Sequence, residues 1–141
     1  MTIHWDKALN TGVKSIDLQH WELISLIYEL GAMCDAGQST EALNGVWPQL
    51  KTYVLFHFSQ EENLINMLVA DDDFANMHLA QHQQFIAHID TLQKNRTPQT
   101  DSHTVRALVQ YLSDWLLHHI ATTDHELGHR LLAQHPAFSA Q

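Results

Sequence analysis

At 141 residues the chain can bury a hydrophobic core without disulfide staples, and a single domain, 1–141, accounts for its length. Seven Lys and Arg against sixteen Asp and Glu leave a net charge of −9, which repels phosphate backbones and anionic lipid and so argues against nucleic acid and membrane partners. The excess is in histidine, twelve residues, and neutral imidazole is the commonest side-chain ligand for Zn, Cu, Fe and Ni.

Apolar residues recur at three- and four-residue steps in four blocks, separated by short segments rich in Gly, Asp, Asn, Pro and Thr. The first block sets Ile16, Leu23, Ile27, Leu30 and Cys34 on one stripe that also carries His20, and ends near Gly37. The second runs from about Ser39, an expected N-cap, through Leu43, Val46, Leu50, Val54, Leu64 and Leu68 to Asp71-Asp72-Asp73, with His57 and Glu61 on its stripe. Pro48 lies inside it and marks either a kink or the true helix start. The third spans about Phe74 to Lys94 with Phe85, Ile89 and Leu92 inward and His78 and His82 on the same stripe; a loop from Asn95 to Asp101 follows. The fourth begins near Ser102 and carries Val105, Leu108, Leu112, Trp115 and Leu116, then His119. The lone Cys34 has no disulfide partner, residues 1–30 lack the pattern of a secretory leader, and no apolar run reaches the roughly eighteen residues of a membrane span. A cytoplasmic location is expected.

Short connections between long amphipathic helices favour antiparallel neighbours, so the expected fold is all-α, an up-down-up-down antiparallel four-helix bundle over about 15–132 with an N-terminal extended segment. In that topology His20, early in the first helix, His57 and Glu61, late in the second, His78 and His82, early in the third, and His119, late in the fourth, fall at one end. Five imidazoles and a carboxylate buried in one layer each need a partner or cost roughly 1–3 kcal/mol. A metal ion supplies all those partners at once.

Asp17-Leu18-Gln19-His20, His57-Phe58-Ser59-Gln60-Glu61-Glu62, His78-x-x-x-His82 and His119-Ile120-x-x-x-Asp124 resemble the successive motifs of the hemerythrin family, its stand-alone bacteriohemerythrins in particular. Trp5-Asp6 and Thr11-Gly12-Val13 resemble that family's entry segment, and the likeness extends from about Trp5 to Leu132. The resemblance implies a non-haem di-iron centre: two Fe ions with a bridging oxo or hydroxo oxygen, His78, His82 and His119 on one iron, His20 and His57 on the other, Glu61 and Asp124 bridging. One position then stays open for O2 on the iron with two histidines. Leu23, Phe58, Trp115, Leu116 and Ile120 lie beside these residues and wall a dry O2 pocket, a role compatible with ordinary core packing.

Neutral imidazoles dominate this set, whereas ferritin-like oxidases use four carboxylates and paired Glu-x-x-His motifs. Reversible O2 binding, as a carrier, store or delivery protein and not an enzyme, is therefore expected ahead of oxygen activation. The alternatives are an O2- or redox-sensing module acting through a separate signalling or O2-consuming partner, and a di-iron oxidase. The five-residue step from His119 to Asp124 turns about 140° beyond a full circle on a regular helix, so a π-bulge or a lateral reach is needed.

A zinc-protease reading competes at the C-terminus, where His125-Glu126-x-x-His129 precedes His135. The longer form of that motif requires Gly where Leu132 stands, and Gly128 is a poor helix former inside a ligand helix. Those histidines are expected in the last helix and its solvated tail.

Overall fold

The computed structural model describes residues 7–69 and 72–140, the side chains of 139 and 140 excepted. Every regular element among them is helical: a 3-10 turn at Lys7–Leu9, α1 Lys14–Asp35, α2 Ser39–Asn44, α3 Val46–Ile65, α4 Asp72–Gln93, α5 Asp101–His119, a π segment Ile120–Asp124, α6 His125–Gln134 and a 3-10 turn at Pro136–Ala140. No helix among the described residues is long and apolar enough to cross a membrane.

The four long helical runs pack as a bundle because each buries the stripe its sequence carries. Leu23, Ile27 and Leu30 from α1, Leu50, Val54 and Phe58 from α3, Phe85 and Ile89 from α4, and Leu108, Leu112 and Leu116 from α5 form one continuous core. Cross-helix polar contacts fix the register. Lys51 and Trp47, early in α3, bind Asp90 and Gln93, late in α4, at 2.7 and 2.6 Å. Glu62, late in α3, meets His82, in the first half of α4. Likewise Cys34 at the end of α1 lies by the Ser102 carbonyl at the start of α5, while His20 reaches Asp124 beyond the end of α5.

The expected second helix is divided. Gly45 separates α2 from α3, so Pro48 sits in the first turn of α3, where its missing N–H has no intrahelical acceptor to lose. Gln38, not Ser39, holds the N-cap position of α2; the Ser39 hydroxyl donates to Cys34 Sγ instead. α3 stops at Ile65, and Ile65 is buried where Leu64 is only half-buried. Asp72 and Asp73 belong to the first turn of α4, where carboxylates favour the positive end of the helix dipole; Asp71 lies outside the described residues. α5 begins at Asp101, whose buried carboxylate takes Arg96 at 2.9 and 2.8 Å and the Thr40 hydroxyl at 2.8 Å, joining the preceding loop to α2.

Trp5 and Asp6 of the expected entry segment also lie outside the described residues, and Lys7–Leu9 form a 3-10 turn in place of extended chain. Beyond them Asp17 takes the Thr11 N–H at 2.7 Å, the Thr11 hydroxyl at 2.8 Å and the Gly12 N–H at 3.2 Å. This strap lies on α6. A Cβ at Gly128 would come within 2.6 Å of the Thr11 carbonyl oxygen, so the close approach needs glycine there. Val13, Ile16, Ile65, Phe74, Leu127 and Leu131 form a second apolar cluster around the strap.

Candidate metal centre

His20, His57, Glu61, His78, His82, His119 and Asp124 come together from α1, α3, α4, α5 and the π segment, each fully or almost fully buried. Two groups of atoms could each hold a metal ion: Glu61, His78, His82 and His119, and His20, His57, Glu61 and Asp124. Glu61 belongs to both. Its Oε1 stands 3.2 Å from His57 Nε2, 3.3 Å from His82 Nε2 and 3.7 Å from His78 Nε2. Asp124 also faces both groups, Oδ1 lying 3.1 Å from Nε2 of His78 and of His119, and Oδ2 2.8 Å from Nε2 of His20.

The π segment makes this possible. It absorbs the surplus rotation between His119 and Asp124, so both residues enter one layer. His118, the neighbour one residue earlier, points to solvent.

The donor set is left unsatisfied by the protein alone. His20 Nε2, His57 Nε2, His82 Nε2 and all four carboxylate oxygens of Glu61 and Asp124 are buried without a hydrogen-bond partner. Two carboxylates and five imidazoles at contact distances of about 3 Å match the spacing between neighbouring ligands on an ion whose bonds are about 2.0–2.2 Å. A buried cation satisfies them together, and the residues present fit a metal centre.

Electrostatics point the same way. Burial pushes the Glu61 carboxyl up, as does Asp124, but His57 and His78 outweigh both and hold it well below the usual carboxylate range. Burial likewise opposes ionisation of Asp124, and His119, His20 and His78 overcome it. Burial disfavours a proton on His78, yet Asp124 and Glu61 push its pKa up to about 9; His20 is raised for the same reasons. On His119 burial prevails and the pKa falls. The pocket holds two anionic side chains and draws positive charge.

Three rings are steered from behind. His57 Nδ1 lies 2.7 Å from Gln19 Oε1, His119 Nδ1 2.7 Å from Gln81 Oε1, and His82 Nδ1 3.2 Å from Glu62 Oε2. Phe58 stacks on His82 at 3.8 Å and Trp115 on His119 at 4.3 Å. Gln81, Thr123 and the role of Gln19 are not visible in the hydrophobic pattern, since a polar residue beside a core stripe reads as solvated surface.

Beside the layer lies an apolar cavity of about 10 Å³, at the lower limit for a single water molecule. Leu23, Phe58, Trp115 and Leu116 line it, joined by Ile27, Leu50, Val54, Phe85 and Leu112. Ile120 is fully buried in the same core but does not line the cavity.

The residues of the zinc-protease pattern do not gather. Glu126 pairs with Arg130 at 2.8 Å, His129 is exposed, and His135 Nε2 lies 3.2 Å from the Met67 carbonyl oxygen. None of them is in a metal-competent group among the described residues.

A chain whose described residues form only helices around a buried layer of His, Glu and Asp donors is a metal-binding helical protein. The hemerythrin HHE cation binding domain matches residues 11–131, and the chain belongs to the hemerythrin family. Its relatives include the bacteriohemerythrin of Pseudomonas aeruginosa (strain PAO1), 34% identical over 122 residues, covering 85% of this chain and 75% of that protein. The bacteriohemerythrin of Stenotrophomonas maltophilia is 27% identical over 138 residues (97% and 86%), and that of Clostridium acetobutylicum 22% over 125 residues (86% and 95%).

Proposed function

We propose that the chain is a single hemerythrin-like domain, bundle about 15–132, that binds O2 reversibly at a non-haem di-iron centre, as an oxygen carrier, store or delivery protein in the cytoplasm. The observation that carries the reading is the overlap of two donor groups through Glu61, with Asp124 facing both. His78, His82 and His119 would hold one iron and His20 and His57 the other, with Glu61 and Asp124 shared between them. The alternating cross-helix contacts support an up-down-up-down antiparallel order, which sets all seven residues at one end.

A pair of irons held there would supply the redox chemistry of reversible O2 binding. The protein does the rest. His78, His82 and His119, with the shared carboxylates, would leave one iron no room for a further ligand, whereas His20 and His57 would leave the other a place for O2. Leu23, Phe58, Trp115, Leu116 and Ile120 keep the neighbourhood apolar, which denies water the polar partners it needs to enter.

The test is to load the chain anaerobically with Fe(II) and expose it to O2. About two irons per chain and a visible charge-transfer band that appears with O2 and vanishes on its removal are expected. Irreversible oxidation with turnover of a reductant marks an oxidase instead. One Zn per chain with peptide cleavage marks a peptidase.

A further inference from the structure

Gln19 and Gln81 occupy matching places. Gln19 stands immediately before His20 on α1 and its Oε1 meets Nδ1 of His57 on α3; Gln81 stands immediately before His82 on α4 and its Oε1 meets Nδ1 of His119 on α5. Both pairs are separated by 38 residues. One device is therefore built twice, once in each half of the layer. The register that matches His57 with His119 also matches Glu61 with Thr123. The extra residue of the π segment carries the carboxylate on to Asp124 and leaves a hydroxyl behind, and that Thr123 hydroxyl donates to Gln81 Oε1 at 2.8 Å.

An amide can meet an imidazole with its oxygen or its nitrogen, and the two orientations select opposite tautomers. Oxygen toward the ring requires the proton on Nδ1 and frees the Nε2 lone pair. On His57 that Nε2 is buried without a hydrogen-bond partner, 3.2 Å from Glu61 Oε1. On His119 it lies 3.1 Å from Asp124 Oδ1. Nitrogen toward the ring would move the proton to Nε2, between ring and carboxylate, and close the place to a cation. Thr123 donates to the same oxygen and favours the first orientation.

Charge has a second consequence. The third ring with an Nδ1 partner, His82, faces the carboxylate of Glu62, whereas Gln19 and Gln81 are uncharged. An anionic acceptor draws the Nδ1 proton and makes the imidazole a stronger donor to a metal; a neutral amide does so less.

We propose that Gln19 and Gln81 are positioning residues that fix His57 and His119 as Nδ1–H tautomers, aim their Nε2 atoms into the carboxylate layer, and keep one histidine in each half a moderate donor. The part concerning donor strength rests on the di-iron reading. The tautomers are a property of the metal-free chain.

The test uses the full chain with 15N-labelled histidine. In metal-free protein His57 and His119 give Nδ1–H spectra, and Gln19→Leu and Gln81→Leu shift the corresponding ring toward the Nε2–H form. In the Fe(II)-loaded chain, Gln19→Glu and Gln81→Glu preserve size and acceptor and so preserve folding and iron content. Each lowers the midpoint potential, with an expected tenfold change in the ferric-to-ferrous ratio, about 59 mV. Unchanged tautomers in the Leu variants, or unchanged potentials in the Glu variants, overturn the positioning role. A parent chain that takes up no iron overturns the di-iron reading instead, and the metal-free spectra then decide the tautomer claim alone.

Discussion

Asp124 shares a layer with His119, Oδ1 to Nε2 at 3.1 Å, although a regular helix would turn it away; the π segment Ile120–Asp124 absorbs the difference. The other oxygen of the same carboxylate stands 2.8 Å from His20 Nε2. A single side chain on the last helical run thus joins donors from α1, α4 and α5. Replacing Asp124 by Ala removes that shared anion, so iron content is expected to fall from about two per chain to one or fewer. Metal analysis after desalting checks this, and a variant that keeps both irons would remove Asp124 from the centre.

The histidines separate into two populations by burial and partner. His57 is fully buried against Glu61, while His129 is exposed and His125 is only half-buried. His57→Ala should abolish the O2-dependent visible band; His125→Ala and His129→Ala should leave it at parental intensity. The opposite pattern would restore the zinc-protease motif as the functional one.

The periodic stripes make the four helical runs legible, and their interruption by His20, His57, Glu61, His78, His82 and His119 makes a buried polar layer legible too. The step from His119 to Asp124 calls for a π-bulge or a lateral reach, and the structure has the π segment. The break at Gly45 was hidden because a Pro near a helix start gives the same pattern as a kink. The packing role of Gly128 is hidden for a different reason. It is unfavourable locally, and only the strap at Thr11, distant in sequence, requires it. The roles of Gln19, Gln81 and Thr123 are not legible because their partners lie on other helices, and no local periodicity encodes such a contact.

Gly128→Ala tests that close approach. A methyl group placed 2.6 Å from a backbone oxygen forces the strap or α6 to shift, and overpacking of this kind costs about 1–3 kcal/mol. Thermal or denaturant unfolding should show that loss, although alanine is intrinsically the better helix former. A neutral or stabilising effect would mean that the strap does not bear on α6.

Asp101 predicts a pH dependence. The Arg96 guanidinium beside it, aided by the Thr40 hydroxyl, holds its carboxyl below the ordinary carboxylate value against the effect of burial. A depressed folded-state pKa stabilises the fold above the unfolded value, about 3.9, and that stabilisation is lost as the pH falls through the folded value. Asp101→Asn should therefore lower the melting temperature at neutral pH, and the gap to the parent should narrow in acid. An equal gap at both ends would assign the effect to packing.

Leu116 separates dryness from packing in the apolar cavity. It is 4% exposed and lines that cavity together with Leu23, Phe58 and Trp115. Leu116→Ala enlarges a space without polar groups, so it should cost about 2–5 kcal/mol of stability yet stay dry. Leu116→Asn changes the volume less but gives water a partner beside the proposed metal centre. The O2-dependent band should therefore decay several-fold faster in the Asn variant than in the Ala variant, despite the larger hole in the latter. Equal decay in the two would show that close packing, and not the exclusion of water, preserves the bound O2.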